Sequence, residues 1–90
     1  MTSLGPIPSV DRWGPFATDI DKPERRARLR SMRAIVNLCT GTRGTALAEA
    51  LAHAERDVGH LPAALAELDA LAALDRRQVL ASFARLHRPA

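Results

Sequence analysis

Apolar residues recur at helical spacing along most of the chain, and this pattern predicts α-helices. The first helix places its apolar residues on one face, at Leu29, Met32, Ile35, Val36 and Cys39. Asp21 and Glu24 have capping-box spacing, and Pro23 is tolerated in a first helical turn. We therefore expect the helix to begin near Asp21 and to end in the turn at 40–44, where Gly41 is a candidate C-cap.

Three further helical segments follow, each with a recognisable start. Thr45 is the expected N-cap of the second helix, which reaches Asp57, and Pro62 opens the third. Asp75 and Gln78 have capping-box spacing and predict the start of a fourth. The predicted buried positions of these helices are Leu47, Ala50, Leu51, Ala54 and Val58; Leu61, Leu65, Leu68 and Ala72; and Val79, Leu80, Phe83 and Leu86.

The helical segments predict an all-α fold, a small three- to four-helix bundle. The third and fourth segments could instead form one continuous helix over 62–87, because nothing between Leu74 and Arg76 breaks the backbone. Short connections favour antiparallel neighbours, and a dimer that completes a four-helix bundle also fits the pattern. Valine and isoleucine are scattered and do not alternate, so a sheet is not expected.

The first twenty residues differ from the rest of the chain. Glycine and proline bar a helix there, yet the segment holds apolar residues that include Trp13 and Phe16. We expect an extended arm over 1–20 that docks on its own bundle or on a partner, and a helical domain over 21–90.

Length and composition narrow the class of protein. Ninety residues suffice for one domain, no apolar run is long enough for a membrane span, and no secretory signal is evident. The single cysteine, Cys39, excludes an internal disulfide framework. These features predict a cytoplasmic protein that does not enter membranes.

Basic residues are concentrated on the first helix. The net charge is +3, and Lys22 is the only lysine, so arginine supplies 12 of the 13 basic residues. The arginines of this helix form its most asymmetric polar surface. This surface fits docking of an acidic partner or of nucleic acid, and it equally fits a solvated face in a protein from a GC-rich genome.

Candidate catalytic and metal-binding groups are sparse. Glu49, His53 and Asp57 share one helix face, but a metal there would need a ligand from elsewhere, and His60 is the nearest candidate. A solvated polar face explains the same pattern. The turn at 40–44 lacks the ending of a phosphate-binding loop, and Cys39 lies on an apolar stripe. We therefore predict no metal, no cofactor and no catalytic residue.

A helix-turn-helix alignment does not fit this chain. With Gly59 as the turn glycine, the recognition helix would span 61–74, which holds Glu67 and Asp69 and no basic residue. Such a helix would be repelled by phosphate.

The segment Leu38-Cys39-Thr40-Gly41-Thr42-Arg43, placed between an arginine-rich helix and an alanine-rich one, resembles a feature of short streptomycete proteins of unknown function. Those proteins have extra residues between the cysteine and the Thr-Gly-Thr-Arg stretch, and the resemblance covers about a third of the chain. It implies an actinobacterial source and no particular activity.

Together these observations predict a non-enzymatic helical interaction module: an adaptor, a regulator or an accessory subunit. Its partner would be a protein, for example an acidic one, or a second copy of the chain. The alternative is a transcriptional regulator that binds nucleic acid through the arginines of the first helix. The predicted partner-binding residues are Trp13, Phe16, Arg25, Arg26, Arg28, Arg30 and Arg33.

Overall fold

The structure, a computed structural model, describes residues 14–17 and 19–87. Over these residues it contains four α-helices and no β-strand, which confirms the all-α prediction. The helices are α1 (Lys22–Thr40), α2 (Thr45–Arg56), α3 (Leu61–Ala70) and α4 (Ala73–His87), with 3₁₀ turns at Gly14–Phe16, Gly41–Gly44 and Val58–His60. None of the described helices combines the length and apolar character that crossing a bilayer requires.

Helix α1 begins and ends at the residues that the sequence predicts. The side chain of Asp21 accepts a hydrogen bond of 2.9 Å from the backbone N–H of Glu24, which satisfies one of the unpaired donors of the first turn. At the other end, Gly41 has a φ of 57°, and its N–H donates to the carbonyl of Asn37. The predicted helix start at Asp21 and the C-cap at Gly41 are therefore confirmed, while the Glu24 carboxylate pairs with Arg28 Nε at 2.7 Å.

The third and fourth helices are separate, and the break lies earlier than the sequence suggested. Leu71 has an extended backbone, with ψ of 150°, and ends α3. The guanidinium of Arg76 donates to the carbonyls of Asp69 and Leu71, at 2.9 and 3.2 Å. These bonds satisfy carbonyls that the end of a helix leaves without partners, and this stabilises the break.

Two predicted caps are wrong. Helix α4 begins at Ala73, so Asp75 lies inside its first turn and its carboxylate pairs with Arg43 instead of capping the helix. Thr45 is the first residue of α2, and Gly44 takes the N-cap position. The spacing of residues along the sequence does not show the contacts that these side chains make: Asp75 pairs with Arg43, and the Thr45 hydroxyl donates to the carbonyl of Thr42.

The core is built around α1, which packs against α2, α4 and the Gly14–Phe16 turn, while α3 packs on α2. The largest side chains with less than 2% exposure are Leu29, Met32, Leu47, Leu51, Leu68, Val36, Val79 and Pro15, and the rings of Phe16 and Phe83 are buried with them. Three predicted core residues are instead exposed: Val58 at 57%, Leu86 at 68%, and Ala72, which lies between α3 and α4. Val58 lies beyond the end of α2, and Leu86 lies beyond Phe83, the last buried residue of α4.

The described part of the predicted arm packs on its own bundle. Phe16 is buried to 3% exposure and belongs to the core cluster. Gly14 has a φ of 56°, and a Cβ built there would lie 3.2 Å from the ring of Phe83. Glycine thus permits both the turn and its close approach to α4. The rest of the arm, 1–13 and Thr18, lies outside the described residues.

Gly44 lets α2 begin directly against the end of α1. A Cβ at this buried position would collide with the hydroxyl of Thr40 and a methyl group of Val36. Neither neighbour moves easily, because the Thr40 hydroxyl donates a 2.7 Å hydrogen bond to the carbonyl of Val36. The sharp passage between the two helices therefore requires a residue without a side chain.

We expect Gly44→Ala to lower the free energy of unfolding by about 1–3 kcal/mol, because the added methyl group overpacks a closed site. Denaturant unfolding followed by circular dichroism measures this change. Gly59→Ala is the matched control, since its nearest neighbour is an exposed carboxylate atom of Asp57 at 3.2 Å. Equal stabilities for the two variants would contradict the packing argument.

Candidate functional site

Two arginines of α1 hold the N-terminal turn in place. Arg25 Nη1 donates to the carbonyl of Pro15, at 2.8 Å, and to the carbonyl of Ala17. Arg28 Nη1 donates to the carbonyl of Gly14 at 3.0 Å. A guanidinium carries several donors and so can satisfy adjacent carbonyls that have left regular secondary structure. These two predicted partner-binding residues are engaged within the chain.

Two further arginines join α1 to α2 through one buried carboxylate. The side chain of Glu55 is 10% exposed and lies 3.3 Å from Arg30 Nε and 3.2 Å from Arg33 Nη2. Its Oε2 atom is buried and its contact with Arg33 lacks hydrogen-bond geometry. One glutamate thus fixes two cations at the contact between the helices.

Arg26 is the predicted α1 arginine that remains exposed with no described ion pair or hydrogen bond. Arg56, at the end of α2, is exposed and equally unpaired within the described part of the chain. Of the predicted aromatic residues, Phe16 is in the core, and Trp13 lies outside the described residues.

Arg26 and Arg56 flank an open groove between the first half of α1 and the end of α2. Two depressions, of about 420 and 390 Å³, share the residues Arg26, Glu55 and Arg56. We call this surface the α1–α2 groove. Its charged lining residues are Lys22, Arg25, Arg26, Arg30, Arg33 and Arg56, with the acidic residues Glu55 and Asp57.

The α1–α2 groove is the place where the structure concentrates positive charge. Six basic and two acidic lining residues give it a net charge of +4, more than the +3 of the whole chain. Its apolar lining residues are Ile20, Leu29, Ala54 and Val58. A surface of this kind attracts anionic groups and also offers contact to an apolar side chain.

Sequence reasoning missed Arg56 and Val58 as members of this surface. Both belong to the end of α2 and the turn after it, so they reach α1 only through tertiary packing. The short connection between α1 and α2 could have indicated their position, because an antiparallel helical hairpin brings the end of α2 beside the start of α1.

A second charged contact ties the α1–α2 connection to α4. Arg43 Nε and Nη2 each donate to one carboxylate oxygen of Asp75, both at 2.9 Å. The hydrogen bonds from Arg43 lower the pKa of Asp75 below its ordinary value, and Asp75 in turn raises the pKa of Arg43. The bidentate geometry fixes the orientation of both side chains.

The candidate metal ligands do not converge within the described residues, where no group of three potential ligands lies together. The rings of His53 and His60 are 5.5 Å apart, and Asp57 accepts a hydrogen bond from the N–H of Gly59. Cys39 is half-buried, with its sulfur 3.8 Å from the hydroxyl of Ser82.

No protein-family model, curated protein or solved structure matches this chain. The resemblance to short streptomycete proteins stays a prediction.

Arg25→Met should loosen the N-terminal turn, because the methionine cannot donate to the carbonyls of Pro15 and Ala17. We expect a loss of about 1–3 kcal/mol in the free energy of unfolding and faster amide exchange at Ala17. Arg26→Met is the control, since it removes an unpaired side chain from the same helix. Indistinguishable stability of the two variants would show that the carbonyl contacts contribute nothing.

The Arg43–Asp75 pair predicts a stability change in acid. The pKa of Asp75 is lowered in the folded state, so its contribution is complete above the ordinary value of about 3.9 and is lost as pH falls through the lowered pKa. We expect Asp75→Asn to be less stable at neutral pH and to lose less stability below about pH 4. Denaturant unfolding at several pH values tests this, with Asp69→Asn as the control for an exposed carboxylate; parallel pH profiles for wild type and Asp75→Asn would refute it.

Proposed function

We propose that this protein is a non-enzymatic helical interaction module, an adaptor, a regulator or an accessory subunit, that binds a protein partner at the α1–α2 groove. The observation that supports this proposal most directly is the pair Arg26 and Arg56. These two exposed arginines lie on different helices, flank one groove, and have no described partner of their own.

The groove has the composition of a protein-binding surface. Arginine is enriched at interfaces and at their energetic hot spots. Val58, 57% exposed, adds apolar area beside the two arginines, which desolvation on binding would bury.

The backbone that carries these residues is held before any partner arrives. Leu29 and Ala54, on the two facing helices, are buried below the groove, and Glu55 joins the helices through Arg30 and Arg33. A surface that is already ordered loses less conformational entropy on association.

Nucleic acid is the alternative ligand for a surface with a net charge of +4. Three of its six basic side chains are arginines with intramolecular contacts: Arg25 bonds to carbonyls, and Arg30 and Arg33 share Glu55. This arrangement leaves fewer cations for phosphates than the sequence suggests, and it favours a protein partner.

The deciding experiment is affinity capture from a lysate of the source organism, with and without nuclease. The wild-type chain is compared with Arg26→Gln/Arg56→Gln and with Arg77→Gln/Arg85→Gln. The second pair removes the same charge from exposed positions on α4, so it controls for nonspecific electrostatic capture.

We expect a protein that is captured by the wild type and the α4 control, survives nuclease, and is lost with the groove variant. Capture that is equal for all three chains would contradict the proposal. Capture that nuclease abolishes, with affinity that falls steeply as salt rises, would transfer the function to nucleic-acid binding.

A further inference from the structure

The α1–α2 groove places an exposed apolar side chain among arginines, and this combination indicates a class of ligand. Near the start of α1, Val58 is 57% exposed and Ile20 lies in the same lining, while Leu29 and Ala54 are buried beneath; the charged residues there are Lys22, Arg25, Arg26, Glu55, Arg56 and Asp57. Further along α1, the groove is lined by Arg26, Arg30, Arg33 and Arg56 around Glu55, with Ala52 as its apolar member. The exposed apolar side chain of Val58 therefore lies in a groove that is cationic along its length.

We propose that the groove binds an acidic segment of a partner protein, with one apolar side chain against Val58 and flanking carboxylates on Arg26 and Arg56. This inference rests on the proposed function and names the chemistry of the partner. Arginine and carboxylate are geometrically matched, since two parallel N–H groups meet two oxygens.

The charges of the groove are arranged so that these two arginines remain available. The carboxylate of Glu55 forms ion pairs with Arg30 and Arg33, and these two cations balance its charge. The other acidic residue is Asp57. Its Oδ1 accepts a hydrogen bond from the N–H of Gly59, and its Oδ2 lies 3.9 Å from His60 Nε2. Neither carboxylate has a described contact with Arg26 or Arg56, and an incoming carboxylate supplies the missing counter-charge.

The apolar part of the groove favours a peptide over a nucleic acid. Among the described residues, no aromatic side chain lines either depression, so this part of the chain offers no platform on which a base could stack. Val58 and Ile20 are instead suited to an aliphatic side chain. A second copy of the chain fits poorly, because a two-fold interface centred on the groove would bring two +4 surfaces together.

Fluorescence anisotropy with the labelled heptapeptide Glu-Glu-Leu-Glu-Glu-Leu-Glu tests the proposal. Three reference probes accompany it: the same peptide with glutamine for every glutamate, the same peptide with serine for every leucine, and a short single-stranded oligonucleotide. The protein variants are Arg26→Gln/Arg56→Gln, Val58→Ser, and the control Arg77→Gln/Arg85→Gln, with circular dichroism to verify that each is folded.

We expect the acidic peptide to bind the full chain and the groove variant to bind it at least about tenfold more weakly, since each tenfold corresponds to about 1.4 kcal/mol. Val58→Ser should weaken binding by about threefold to tenfold, because an exposed apolar contact is removed. The control variant should stay within about twofold of wild type, and the glutamine peptide should not bind.

Three results would overturn the proposal: no binding of the acidic peptide, equal binding by wild type and groove variant, or tighter groove-dependent binding of the oligonucleotide. The lysate capture separates this inference from the proposed function. A captured protein that still depends on Arg26 and Arg56, combined with no peptide binding, would retain the interaction module and reject the acidic segment. If neither the lysate capture nor the peptide binding depends on Arg26 and Arg56, both the proposed function and the acidic-segment proposal are rejected.

Discussion

Helix α1 must bury one apolar stripe against three neighbours at once, and the rest of the bundle depends on this constraint. It contacts α2, α4 and the Gly14–Phe16 turn, and its Leu29, Met32 and Val36 are almost completely buried. Any change in its rotation would uncover apolar area on one side and force overlap on the other. Its caps at Asp21 and Gly41 therefore define the length over which three contacts are made in register.

The arginines beside that stripe have two roles: most of them bond to other parts of the chain, and one remains exposed without a described partner. Arg25 and Arg28 lie toward the N-terminal turn, and Arg30 and Arg33 lie toward α2. Arg26 has no described partner in either neighbour, and it lines the open groove together with Arg56.

Local sequence information was sufficient where a local interaction determines the structure. The helical class, the start of α1 and the glycine at its end follow from spacing and capping chemistry. The break at Leu71 does not, because it is stabilised by Arg76 from the following helix. The groove was predictable only in part: the arginines of α1 were identified, but Arg56 and Val58 join them through packing. Arg30 and Arg33 differ from Arg26 because they pair with Glu55, which lies 25 and 22 residues after them in the sequence. Spacing within α1 does not reveal this difference.

The contact of Gly14 with Phe83 joins the first described turn to the last described helix. On a ribosome, the turn at Gly14–Phe16 leaves the exit tunnel long before α4 is complete, so the aromatic ring of Phe16 waits without part of its final environment. Contacts between residues so distant in sequence form late, after the intervening chain has been ordered. The Gly14–Phe16 turn therefore needs α4 to complete its buried environment, and an interruption of synthesis within α4 would leave this turn without part of its cover.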